Sequence, residues 1–134
     1  GRVPGDGRLM ALSTSQVECL LMALLAVNNY PLEKAWALLP RMRELGLTDP
    51  ARVAAMDMPA VIEALTGAGY DRKNLTWMFA ERVMALMAAI HGGELAGLGE
   101  AIAARDKAKA TELLDRVRGV GPTVIQNAWA LLMS

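Results

Sequence analysis

One cysteine, one histidine and one phenylalanine are all that the 134-residue sequence holds of those types, and it carries no excess charge of either sign. Each shortage excludes something. A single Cys19 cannot form an internal disulfide, a four-thiolate cluster or a zinc knuckle, and it sits in an apolar stretch where a small core residue is wanted. One cysteine and one histidine, His91, cannot build a metal site, so neither metal nor cofactor is expected. A reducing, cytoplasmic setting suits such a chain. Fourteen Lys+Arg against fourteen Asp+Glu exclude a polybasic or an acidic tail. With 54% apolar residues the chain is not intrinsically disordered. Its longest apolar run reaches only from Cys19 to Val27, far short of the roughly 20 residues that span a bilayer, and no membrane association is expected.

Ala, Leu and Met fill the places left by the scarce aromatic and β-branched residues, and no alternating stretch reads as a strand. The composition predicts an all-α fold, a compact multi-helix barrel or bundle. Residues 1–12, opening Gly1-Arg2-Val3-Pro4-Gly5, read as a flexible leader, and residues 13–134 as a single helical domain. Ser15 with Glu18 offers a capping box for a first helix to about Val27, ended by Asn28-Asn29. A second runs from Pro31 to about Leu45 with a kink or a break at Pro40. A third opens at Thr48-Asp49-Pro50 and reaches about Met56. Asp57-Met58-Pro59 opens a fourth, Ala60 to Leu65. The longest spans Arg72 to about Ile90, a weaker one Glu94 to Ala104, and the last two Ala108 to Val117 and Thr123 to Leu132. Nine methionines, several of them mid-chain (Met56, Met58, Met78, Met84, Met87), suit core filling or an adaptable partner groove.

The most informative segment joins the last two helices: Arg118-Gly119-Val120-Gly121-Pro122. Glycines accept positive φ and let a ligand approach the backbone. Val120 can turn inward to pin the turn, and Pro122 sets the entry angle of the next helix. The free amides there, with the Thr123 hydroxyl, would point outward at the positive end of a helix dipole, a phosphate site. An ordinary tight turn between antiparallel helices would use the same residues. Five cations between residues 105 and 118 (Arg105, Lys107, Lys109, Arg116, Arg118) lie near this turn in sequence, and Arg72-Lys73 form a second pair. A solvated helix face explains each of them equally well. Trp36, Trp77 and Trp129 all fall at helical positions suited to the core, with room for one of them to be partly exposed.

Arg118-Gly119-Val120-Gly121-Pro122 between two amphipathic helices resembles the helix-hairpin-helix of the endonuclease III-like DNA glycosylase superfamily, here over residues 108–133. Ala68-Gly69-Tyr70-Asp71-Arg72-Lys73 is similar to the Gly-aromatic-x-x-Lys element that opens a helix of that superfamily. The Leu20–Leu25 helix followed by Asn28-Asn29 also fits, and the matches fall in family order over roughly residues 15–134. The resemblance implies that Gly119, Val120, Gly121, Thr123 and Val124 grip duplex phosphate. It implies too that Asn28 or Asn29 fills the gap left by an extruded base, with Arg118, Lys107, Lys109 and Lys73 adding charge.

The sequence departs from that superfamily in its chemistry. Thr123 stands where lyase-type members carry a catalytic lysine, their downstream catalytic aspartate is expected beyond Ser134, and the cysteine cluster for an iron–sulfur centre is missing. Lys73, Lys107, Lys109, Asp71, Asp106, Glu112 and Asp115 are available amines and carboxylates, each with an ordinary surface or capping role open to it. His91 at a helix end suits the dipole there. The expectation is a DNA-binding protein with weak, salt-sensitive affinity for duplex DNA and no glycosylase chemistry. Two readings stand beside it: a minimal glycosylase acting on a damaged base, and an interaction module that pairs with a helical partner or with itself.

Overall fold

The computed structural model describes residues 10–134, and all regular structure among them is helical. Of the leader expected over residues 1–12, positions 1–9 lie outside the described residues. Residues 10–12 are held against the body. The Met10 N–H bonds a carboxylate oxygen of Glu100, and Met10 presses on Gly99 so closely that a Cβ there would sit 2.7 Å from the Met10 carbonyl oxygen.

The first helix, α1 (Thr14–Leu25), is capped by Ser13 rather than Ser15. Ser13 Oγ accepts from the Gln16 N–H at 3.1 Å, and Gln16 Oε1 accepts from the Ser13 N–H at 2.9 Å. Glu18 is drawn inward instead and holds Arg43 by two contacts of 2.6 and 2.9 Å, a bidentate geometry that satisfies a buried carboxylate. Leu21 through Leu25 are wholly buried, as befits a helix apolar on every side. It is the axis of the molecule.

The helix expected over Pro31–Leu45, with a kink or a break at Pro40, is two helices, α2 (Leu32–Ala37) and α3 (Leu39–Glu44). Pro40 falls in the first turn of α3, where its missing N–H has no intrahelical partner to lose, so the chain restarts instead of bending. Next come α4 (Pro50–Ala54), capped by Asp49, and α5 (Met58–Gly67), capped by Asp57. Helix α6 (Thr76–His91) starts later than Arg72, because a 3-10 turn over Lys73–Leu75 precedes it and Lys73 has φ +58°. The chain closes with α7 (Leu98–Ala103), α8 (Lys107–Leu114) and α9 (Pro122–Met133). Helix α1 packs on α9, α6 and α2, α6 on α4 and α5, and α8 on α7 and α9. Asp106 caps α8 through the Lys109 N–H at 3.0 Å, and Glu112 accepts from both Lys109 and Arg116. These two carboxylates have ordinary structural work. Met87 is buried, while Met56, Met58, Met78 and Met84 pack partly buried against the core.

Three of the few aromatics cluster at one end of α1. Tyr70 lies 4.8 Å from Tyr30 and 5.5 Å from Phe79 between ring centroids, within the range of favourable tilted pairs. The Tyr70 hydroxyl donates to the Leu25 carbonyl at 2.7 Å, taking up one of the carbonyls that α1 leaves unpaired at its C-terminus. Burial pushes the Tyr70 phenol up to about 12, against a smaller opposing pull from Arg72. An unfolded tyrosine ionises near pH ~10, so in the interval above that value the folded chain keeps a proton that the unfolded chain has lost. Stability contributed by Tyr70 is therefore fully present below about pH 10 and falls as pH rises toward about 12. Thermal melts should show the gap between wild type and Tyr70→Phe, about 1–3 kcal/mol at neutral pH from the lost hydrogen bonds, narrowing across that interval. A gap constant with pH would contradict this.

Candidate functional site

Three chain segments make up the candidate site. The first is the connection between α8 and α9. Val117 and Val120 are buried and hold it down, and the Val120 N–H bonds the Val117 carbonyl at 3.1 Å. Val120 is thus an anchor, as its side chain suggested, and its N–H is not free to bind phosphate. The two glycines differ. Gly119 has φ +86°, and a Cβ there would meet Arg82 Cγ at 2.5 Å, so the fold itself demands glycine. Gly121 is extended, at φ −98°, and a Cβ on it would meet nothing within 4 Å. The first bond of α9 runs from the Ile125 N–H to the Gly121 carbonyl at 3.0 Å. Among the described residues, the N–H groups of Gly119, Gly121, Thr123 and Val124 have no acceptor. The Thr123 side chain is exposed, whereas that of Val124 is buried.

The second segment is the loop after α1. Asn28 and Asn29 are exposed, with φ +57° and +67°, a left-handed pair that asparagine tolerates better than most residues. Arg72 fixes this loop: Nη1 donates to the Val27 carbonyl at 3.2 Å and Nη2 to the Asn28 carbonyl at 2.9 Å. Its guanidinium also lies over the rings of Tyr30, Tyr70 and Phe79 at 5.1, 5.6 and 4.7 Å, a cation–π arrangement. Arg72 is therefore committed to the molecule's own interior rather than offered to an anion. A shallow depression of about 660 Å³ is lined by residues 26–31 together with Thr123, which brings the asparagine loop and the start of α9 side by side.

The third segment is the beginning of α6. Lys73 is exposed, its own N–H bonded to Asp71 Oδ1 at 2.9 Å, so Asp71 stabilises the 3-10 turn. Further along, Met78, Glu81 and Arg82 share a 270 Å³ hollow with Arg118 and Gly119. Arg118 Nη2 lies 3.3 Å from Glu81 Oε1, its side chain 77% exposed; such a surface pair is weak and exchanges readily.

The structure thus sets Asn28, Asn29 and Thr123 around one depression and Arg118 with Gly119 around a second, at the two ends of the turn through Gly121. Lys107 and Lys109 lie in the first turn of α8, about 7–10 Å along the helix axis from its last residue, and Lys109 is paired with Glu112 at 3.3 Å. His91 is exposed in the last turn of α6. Among the described residues no group of three or more His, Cys, Asp and Glu could hold a metal ion, and no helix is long and apolar enough to cross a membrane.

Sequence reasoning missed three features. Lys34 Nζ stands 4.9 Å above the Tyr30 ring. The role of Arg72 depends on a contact between residues 44 positions apart, which no local pattern signals. Trp77, expected in the core, is 55% exposed. That exposure had a signal: Trp77 precedes buried Phe79 by two residues, about 200° around a helix of 3.6 residues per turn.

The contrast between the two glycines yields a test of stability. Gly119→Ala must strain a positive φ and displace Arg82, at a cost of about 1–2 kcal/mol. Gly121→Ala has ordinary φ and open space and should leave the melting temperature unchanged within a degree or two. Equal losses in a pair of thermal melts would contradict this division.

No protein-family model matches the chain, and neither a curated protein nor a solved structure matches it.

Proposed function

We propose that the chain is a DNA-binding module in which α8, the turn and α9 act as a helix-hairpin-helix of the kind found in the endonuclease III-like superfamily. Main-chain N–H groups of Gly121, Thr123 and Val124, with that of Gly119, hold a phosphate of duplex DNA at the positive end of α9. Arg118 adds charge after exchanging Glu81 for phosphate. Asn28 and Asn29, fixed by Arg72, face the same duplex across the depression they share with Thr123.

The observation that carries this reading is Gly121. Nothing inside the molecule calls for glycine at that position, while the amides that follow it lack partners. A ligand pressed against the backbone supplies a reason for the missing side chain. The reading is of binding without base removal: Thr123 stands where a catalytic lysine would be, and Tyr70, held protonated to about pH 12, is not a base.

Fluorescence anisotropy with a labelled duplex at low and moderate salt tests the proposal. Wild type should bind, with a salt slope corresponding to two or three phosphates, about −2 to −3 in log K against log salt. Gly121→Glu should abolish binding with an unaltered melting temperature. Glu81→Gln, which frees Arg118, should tighten it, and the double change Lys107→Ala, Lys109→Ala should weaken it less than the loss of Arg118 does, since Lys109 is already paired with Glu112. A well-folded Gly121→Glu variant that binds like wild type would end the proposal.

A further inference from the structure

We infer that the hollow between α6 and the turn seats the terminal phosphate of a DNA strand, so that the chain prefers duplex ends carrying a phosphate monoester; this rests on the DNA-binding reading above. The hollow, of 270 Å³, is walled by Met78, Glu81, Arg82, Arg118 and Gly119. Two guanidiniums therefore share it with one carboxylate. Arg82 is half-buried and held in place. A Cβ on Gly119 would sit 2.5 Å from Arg82 Cγ, so the glycine is what lets this stem lie against the turn. The Arg82 guanidinium lies 5.5 Å from the centre of the buried Phe79 ring, and among the described residues none of its donors has a carboxylate or carbonyl acceptor. Arg118 has only Glu81, in a pair that exchanges readily. Gly119 and Gly121 are two residues apart, at most ~7 Å of chain, so the hollow adjoins the amides that follow Gly121.

Glu81 decides which anion is meant. It already offers Arg118 a single negative charge from within the molecule. A ligand carboxylate, or a phosphodiester of a continuous strand, also carries a single charge and exchanges with Glu81 at little gain. A phosphate monoester carries a charge of about −1.5 to −2 at neutral pH and presents three acceptor oxygens. It can meet Arg82 and Arg118 together, through the planar forks that suit phosphate. In DNA such a group occurs only where a strand ends. The shape agrees: a recess admits a terminal group, whereas a strand that runs on in both directions passes over it.

The test uses the whole chain and one labelled duplex in three forms, with hydroxyl ends, with a 5′-phosphate and with a 3′-phosphate. Wild type should bind a phosphorylated form about tenfold tighter than the hydroxyl form, as charge-assisted bonds to a dianion allow. Arg82→Met keeps the stem beneath Gly119 and removes the charge. It should erase that preference, hold the affinity for hydroxyl ends within about twofold, and melt within a few degrees of wild type, since only the contact of the charge with Phe79 is lost. Arg82→Lys should retain part of the preference. Equal affinity of wild type for all three forms, or an undiminished preference in a folded Arg82→Met, overturns the inference and leaves the amides of the turn standing. A melt of wild type raised by inorganic phosphate at constant ionic strength, with no preference among the duplexes, assigns the hollow to a free anion and overturns it too. No binding of any form overturns both readings together.

Discussion

The C-terminus of α1 is the point on which the architecture depends. A buried helix must end somewhere, and its final carbonyls then need donors that are not solvent. Tyr70 supplies one to Leu25, and Arg72 supplies two to Val27 and Asn28. Both come from the short link between α5 and α6. This clamp lets the deeply buried α1 stop in the interior and turn back through two left-handed asparagines. The aromatic rings beneath Arg72 give its charge a favourable seat. The loop that faces solvent beside Thr123 owes its shape to that interior contact.

The turn between α8 and α9 shows how the same residue type can serve two masters. Gly119 answers to the fold, through its positive φ and the Arg82 side chain beneath it. Gly121 answers to nothing within the molecule. Val120 lies between them with its side chain buried and its N–H bonded internally. The contacts that hold the turn down thus leave the flanking amides without an acceptor among the described residues.

Charge on this protein is mostly local and structural. Glu18 and Arg43 tie α1 to α3, Asp49, Asp57 and Asp106 cap helices, and Glu112 gathers two neighbouring cations. With so many charges occupied, only a few cations remain to shape the surface around the turn.

The sequence by itself determined the helical class, the helix order and most of the boundaries, because those follow from local propensity, capping chemistry and the punctuation of Pro, Gly, Asp and Asn. It also located the turn and gave Val120 its inward direction. It placed the first cap two residues late, since Ser13 with Gln16 and Ser15 with Glu18 are equivalent patterns until Arg43 claims Glu18. Pro40 read as a kink or a break because a sequence does not show whether a chain bends or restarts. Tertiary structure alone decided that Arg72 faces inward and that Asn28, Asn29 and Thr123 border one depression. Those are relations between distant residues, fixed by how helices pack around α1, and no local preference encodes them.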